Sequence, residues 1–412
     1  MNAKLVLLTA VALPLAVSAE NWPCWRGPRL DGTSSEKNLP IRWTGASNIV
    51  WKTALPGIGH ASPIVWEDSV FVVTSIADKE ARDLLCIDRP TGNLRWQKTV
   101  ITSPLERKHN LNSHASSTPA TDGKLVYVAF LDRAEMVVAA YDFRGNQKWL
   151  VRPGPFSSMH GFCSSPILYK DLVIVNGDHD GDGYMVALRK ETGEQVWTID
   201  RPNKMRSYCA PLIRDIAGKA QMVLSGSKCV TSYDPANGKL HWIIDGPTDQ
   251  FVASPVYSER TGLIYITGGY PDHHILAIKP DGKGNVTGSK IVWRTNKGVA
   301  YVPSPIIEGD YFLIVSDSGV AHCFEAATGK ILWQERLGEH HASLVSANGL
   351  VYFLSDEGVM NVVRPGPEFA RVARNELGER TFGSPAVSEG QILLRGDNHL
   401  FCIGQTLRTA RK

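Results

Sequence analysis

The sequence carries no G-x-S-x-G elbow, no H-E-x-x-H motif and no Walker-type phosphate loop. The commonest signatures of esterase, metalloprotease and nucleotide chemistry are therefore missing. It also lacks an adjacent cysteine pair, any C-x-x-C spacing and the C-x-x-C-H haem attachment motif. Charge of one sign is in short supply: 44 Lys and Arg against 41 Asp and Glu leave a formal charge of +3, with no long run of like charge. Such a balance leaves no electrostatic footprint for nucleic acid or for an anionic membrane. Past the first residues no stretch reaches the ~20 apolar residues of an ordinary transmembrane helix. No segment shows a 3.6-residue apolar period over helical length either.

What is present begins with a leader. Lys4 supplies a short positive region, Leu5 to Val17 is mostly apolar, and Val17-Ser18-Ala19 offers small residues at −3 and −1 of a cleavage site. Residues 1–19 are expected to be a signal peptide, cut after Ala19, which places the mature chain in the periplasm or outside the cell. Cys24 follows Asn21-Trp22-Pro23 and lacks the small and aliphatic residues that precede a lipoprotein cysteine, so no lipid anchor is expected. Seven cysteines cannot all pair within one molecule.

A chain of 412 residues exceeds the size at which one core usually stops growing, so several domains or a repeat is expected. The repeat is there. A small residue before proline recurs at Ser62-Pro63, Thr118-Pro119, Ser165-Pro166, Ala210-Pro211, Ser254-Pro255, Ser304-Pro305 and Ser384-Pro385, with a degenerate copy at Ala342-Ser343-Leu344. The eight copies lie ~46 residues apart on average, the size of a propeller blade. In each, a short apolar strand follows the proline, then a Gly/Asp/Asn turn and a second strand rich in Val, Ile, Tyr and Phe. A third strand, a Thr-Gly or Asn-Gly turn and a strand carrying tryptophan complete the unit. Thr91-Gly92 to Trp96, Thr192-Gly193 to Trp197, Asn237-Gly238 to Trp242 and Thr328-Gly329 to Trp333 are the clearest copies of that last element, with weaker ones ending at Trp149 and Trp293.

Small residue, Asp, Thr-Gly and Trp in this order resemble the tryptophan-docking motif of the pyrroloquinoline-quinone-type (PQQ-type) repeat. That repeat occurs in quinoprotein dehydrogenases and in BamB-like repeat proteins. The resemblance covers nearly the whole chain after the leader and implies an all-β, eight-bladed propeller of four-stranded antiparallel blades. Trp51, Trp96, Trp149, Trp197, Trp242, Trp293 and Trp333 are then structural spacers docked between blades, and Cys86, Cys323 and Cys402 are small fillers.

The eighth copy stops after His399 to Ile403 without a tryptophan strand, while Asn48 to Lys52 is an orphan tryptophan strand ahead of the first blade. Joining them closes the ring. The expected propeller runs over 48–407, with residues 20–47 an extended segment packed on its outside and 408–412 a tail.

Loops entering the innermost strands gather at one mouth of a propeller channel. Here they carry His60, His114, His160, Arg206, Tyr208, Gln250, Tyr301, His340, His341 and Arg380, a polar and aromatic ring suited to a small ligand or a peptide. A second candidate is Asp178-His179-Asp180-Gly181-Asp182-Gly183, whose D-x-D-x-D-G spacing matches the start of a calcium loop. Position 12 of that loop is Arg189 and not glutamate, and a plain Asp/Gly hairpin accounts for the same residues. Calcium through Asp178, Asp180 and Asp182 is the one cofactor reading the residues offer; PQQ is not expected, because the cysteine pair many quinoproteins set against the quinone is missing. The function reading is a non-catalytic interaction or assembly scaffold of the periplasm or cell envelope, a monomer with a protein or peptide partner and no nucleic acid. The alternative is a PQQ- or metal-dependent oxidoreductase, or a carbohydrate-active enzyme, working at the axial mouth.

Overall fold

A computed structural model describes residues 20–45 and 47–406. The leader and the tail expected from the sequence lie outside the described residues. The described chain is almost entirely β-structure, with a single short 3-10 turn at Ala77–Lys79. Its strands form eight antiparallel four-stranded sheets, two of which gain a short fifth strand by parallel pairing. Each sheet is one blade, the first running Ile64–Trp66, Ser69–Ile76, Ala81–Asp88 and Leu94–Thr102 from the axis outwards. In the eighth, Ala386–Ser388, Gln391–Arg395 and His399–Gly404 are completed by Ile49–Ala54, with Trp51 opposite Cys402. N-terminal and C-terminal pieces thus share a sheet, which gives the last blade the outer strand it would otherwise lack.

The small residue before each proline has a specific task. The backbone N–H of Ser62 donates to Thr118 Oγ1, 3.0 Å, and Thr118 N–H donates to Ser165 Oγ, 2.9 Å. Ser254 donates to Ser304, Ser304 to Ser343, Ser343 to Ser384, and Ser384 back to Ser62, all at 2.8–3.0 Å. A belt of hydroxyls therefore runs round the axis, each innermost strand holding the next. A hydroxyl can accept this bond while a larger side chain would push the blades apart. The following proline has no N–H to leave unpaired in the crowded centre. The belt is interrupted at blade four, where Ala210 has no hydroxyl.

The outer tryptophans make a second set of links. Trp51, Trp96, Trp149, Trp293 and Trp333 each donate Nε1–H to a backbone carbonyl in the last turn of the following blade: Arg89, Phe143, Lys190, Ala326 and Gly366, at 2.6–3.1 Å. The turn glycine lies flat under the ring. Gly92 has φ +76°, and a Cβ there would come within 2.7 Å of the Trp51 indole; Gly193 stands in the same relation to Trp149. Two tryptophans differ. Trp242 donates instead to Gln221 Oε1 of its own blade, because the longer turn of blade five lays Gly284–Asn285 along blade four as its fifth strand. Trp197 Nε1 finds no partner in the structure.

Residues 20–34 do not lie on the outside, contrary to the sequence expectation. They enter the channel and line its lower half. Trp22 pairs by backbone with Val65 of blade one, Pro23 O accepts from Thr121 N of blade two, and Arg26 donates to Pro305 O of blade six. Asp31 pairs with Arg214 of blade four, and Thr33–Ser34 add in parallel to Val345–Ala347 of blade seven. Trp25 Nε1 reaches Ser254 Oγ of blade five at 3.1 Å, while Trp25 and Leu30 pack on apolar residues of blades three and four. Glu36 then caps Glu389 N and Gly390 N of blade eight. The physical reason is burial: among the innermost strands Trp22 is left only 1% exposed. Only the stretch near Arg42 and Trp43 climbs the flank, bonding to Val372 and Asn375 in the outermost strand of blade seven.

Ser384→Ala would leave the Ser343 N–H without its acceptor and should lower unfolding free energy by about 1–3 kcal/mol. Trp22→Ala, which removes a buried indole from the apolar cluster shared by blades seven, eight and one, should cost about 3–5 kcal/mol. Ser318→Ala on an exposed turn should stay within about 0.5 kcal/mol. Urea unfolding followed by far-UV circular dichroism checks all three.

Candidate functional site

Because every innermost strand starts at the same face, the eight connections that feed them converge there. They enclose a cavity of about 540 Å³, within the usual range for ligand pockets. Its lower end is closed by Trp25 from the N-terminal segment and by the belt hydroxyls of Ser165, Ser343 and Ser384. The result is a blind cup, open on the mouth side only in so far as the plug fills the channel below.

Five of the ten residues singled out in the sequence line this cup: His60, His160, Tyr208, Tyr301 and His341. The other five stand beside or behind it. His114 Nε2 is bonded to Glu106 O at 2.8 Å, and Arg206 is paired with Asp180 at 2.7 Å. Gln250 Oε1 accepts the Tyr301 hydroxyl at 3.0 Å. His340 is fully buried against Gly338 O, and the exposed Arg380 lies over the Phe382 ring. All ten belong to the mouth-side connections; sequence position did not say which way each side chain turns. Sequence reasoning missed Trp25, His109, Asn112, Cys163, Asp317, Glu339 and Phe382. His109 and Asn112 sit in the longest connection, between blades one and two, and Phe382 is two residues from a belt serine. Both signals were available. Trp25 was not findable without knowing that the N-terminal segment enters the channel.

The lining is largely aromatic. His60 stacks on Phe382 at 4.5 Å between ring centroids, and Phe382 meets His341 edge-on at 5.3 Å. Across the cup His160 touches His109 at 5.6 Å and Tyr208 at 6.0 Å. The histidines hold different charge states. Burial, reinforced by the Arg395 guanidinium, pulls His60 down to about 4, and burial also lowers His160. Burial works against a charge on His341 as well, but the Asp356 carboxylate bonded to its Nδ1 at 2.7 Å outweighs it and raises the pKa. Burial pushes the Cys163 thiol up to about 12, so it stays protonated.

The aspartates of the D-x-D-x-D-G segment do not converge. Asp178 is fully buried, bonding Arg201 Nε at 2.8 Å and the Ser207 hydroxyl at 2.6 Å. Asp180 pairs with Arg206 and Asp182 with Lys204, each at 2.7 Å. Three carboxylates with three separate cations leave no shared oxygen cage, and the segment is the hairpin joining Leu172–Gly177 to Tyr184–Arg189. Among the described residues no group of three or more His, Cys, Asp or Glu is placed to hold a metal ion. The cup has one cysteine, Cys163, and no adjacent pair. Its residues therefore do not fit the quinone-and-calcium centre that the repeat resemblance brings to mind.

Fold and cup together define an eight-bladed propeller of PQQ-type repeats with a plugged axis. Within that class, the sequence model for the outer membrane protein assembly factor BamB matches residues 80–270 and 272–364, and the chain belongs to this family. It is 25% identical over 307 residues to the outer membrane protein assembly factor BamB of Burkholderia pseudomallei, covering 69% of this chain and 68% of that one. The crystal structure of BamB from Moraxella catarrhalis superposes with a TM-score of 0.62 at 14% identity, covering 86% of this chain and 99% of that one. A quinohemoprotein alcohol dehydrogenase from Pseudomonas putida gives a TM-score of 0.51 at 13% identity over 95% of this chain and 81% of its own. At these identities the structural likenesses establish the fold alone. No helix among the described residues is long and apolar enough to cross a membrane.

The charge states give a titration test. In ¹H–¹³C spectra of the histidine rings, His60 should titrate near 4 and His341 above the ordinary 6.5. Asp356→Asn should bring His341 down. Below pH 6.5 the unfolded chain protonates at position 60 before the folded one does. The stability tied to a neutral His60 is therefore lost as pH falls from 6.5 towards about 4. The contribution from His341 has the opposite sign: it is complete below 6.5 and disappears as pH rises through the raised folded value.

Proposed function

We propose that this chain is an exported, non-catalytic assembly propeller of the cell envelope that docks a protein partner on its mouth face. Membership of the BamB family supports a role in outer membrane protein assembly. The leader read at residues 1–19 supports export.

The observation that carries the choice of face is where apolar side chains are left in solvent. Ile58, Leu111, Met159 and Tyr270 are 59%, 47%, 49% and 57% exposed. All four stand on mouth-side loops, Leu111 in the cup wall itself and Ile58 and Met159 within two residues of lining histidines. The remaining large exposed apolar residues, Leu94, Val196, Leu240 and Val292, are spread one to a blade along outermost strands. Scattered single residues of that kind are ordinary, whereas a cluster rimmed by polar groups marks an interaction surface. Lining with paired or neutral groups also favours recognition over bond chemistry.

A photo-crosslinking amino acid placed at Leu111 or Met159, in cells of the native host, should yield adducts with an outer-membrane assembly component identified by mass spectrometry. The same residue at Leu94 or Val292 should yield few. Adducts only from the outer-strand positions, or none from the mouth, would defeat this assignment.

A further inference from the structure

The cup holds hydrogen-bonding atoms that the protein itself does not use, and they differ with depth. At the floor, Ser165, Ser343 and Ser384 line the cavity and are only 5%, 2% and 6% exposed. Each hydroxyl accepts a backbone N–H from the preceding blade. A serine hydroxyl also carries a donor proton, and none of these three donates it to an atom of the described residues. Nearer the opening the spare groups are a carboxylate and two imidazoles. The exposed Glu339 side chain makes no hydrogen bond or ion pair, and the His160 ring touches His109 and Tyr208 without bonding to either. His341 commits Nδ1 to Asp356 and leaves Nε2 open. The rest of the lining is largely ring surface. Trp25 has spent its N–H on Ser254, and the hydroxyls of Tyr208 and Tyr301 are bonded to Ser158 and Gln250.

The charges nearby select against an ion of either sign. An anion would meet the carboxylates of Glu339 and Asp317, both in the lining. A cation would meet the floor O–H groups, the buried Arg395 guanidinium acting through His60, and Arg380 over the Phe382 ring. A purely apolar ligand would cover the serine hydroxyls and the imidazoles and leave them unpaired, which costs free energy for each one. A neutral ligand with many hydroxyls avoids all three penalties. Its oxygens accept from the floor, and its own O–H groups donate to Glu339 and to the open imidazole nitrogens. A sugar ring adds the remaining feature, because the C–H groups of a pyranose make one face apolar and able to lie on an aromatic ring. The cavity of about 540 Å³ is of ordinary size for such a ligand.

We propose that the cup binds a neutral saccharide, its ring face against the aromatic lining, its inner oxygens accepting from Ser165, Ser343 and Ser384, and an outer hydroxyl donating to Glu339. This site lies within the cup and does not depend on a protein partner docking at the rim.

The test uses the full mature chain, with cellobiose, maltose, lactose and di-N-acetylchitobiose as probes, followed by titration calorimetry and saturation-transfer NMR. At least one sugar should bind saturably with a Kd of about 1 mM or tighter, and transfer should be strongest to the ring protons of one pyranose face. Glu339→Gln, an exposed change that keeps side-chain size, should weaken that sugar about tenfold or more, the loss of one hydrogen bond to a charged group. Val252→Trp, which fills the cup from its wall, should abolish binding. Melting curves show whether each variant is folded, and Glu339→Gln decides alone if the filled cup is not. No saturable binding of any sugar at about 10 mM, equal binding by the parent chain and Glu339→Gln, or binding of tetramethylammonium or benzoate in place of the sugars overturns the proposal.

Discussion

Everything in this molecule depends on how eight sheets are held against one axis. The solution is the bond from a backbone N–H to the hydroxyl of the next blade's Ser or Thr, made six times from Ser62 round to Ser384. Each such bond is buried, so its net worth is modest but the cost of leaving the donor unpaired is not. That asymmetry explains why the position is small and polar and why proline follows it so regularly. Where proline is replaced by Leu344, the extra N–H finds Ser304 O at 3.4 Å.

The gap in the belt is where the structure becomes individual. Ala210 offers no hydroxyl to the Ser165 N–H, and one blade on the Ser254 hydroxyl accepts the Trp25 indole N–H in place of a belt bond. The N-terminal segment is thereby fastened at the level of the belt, and the channel is turned into a cup with a floor. The same segment bonds to seven blades and packs on the apolar cluster shared by blades three and four before it becomes the outermost strand of the last one. A repeat protein normally communicates only between neighbours. Here one short stretch ties distant blades together.

How much of this was legible follows from what each feature requires. The blades were readable because the same local grammar recurs eight times, and a turn glycine or a β-branched alternation is a local requirement. Closure was readable because Asn48 to Lys52 had no blade of its own. The face on which the cup opens was readable from the position of each loop before its strand. The orientation of His114, Gln250 and His340 was not, since it depends on which carbonyl or hydroxyl a neighbouring blade supplies. Trp22 and Trp25 were misplaced because an aromatic residue among Gly and Pro reads the same whether it covers a surface or fills a channel. The D-x-D-x-D-G spacing left a calcium loop and a plain hairpin both open for a related reason: spacing states that carboxylates are close in sequence, whereas Arg201, Arg206 and Lys204 pair with them one by one.

The same reasoning separates recognition from reaction at the cup. An active site usually keeps at least one group poised, with a shifted pKa and an unsatisfied hydrogen-bonding direction towards the substrate. His60 and His160 are shifted towards the neutral form, the Cys163 thiol is kept protonated, and the carboxylate of Asp317 is consumed by backbone. Only His341, oriented by Asp356, has the arrangement of a working base, and no second poised group stands beside it. Burial leaves much of this lining neutral and aromatic, which is what the proposed docking role asks of it.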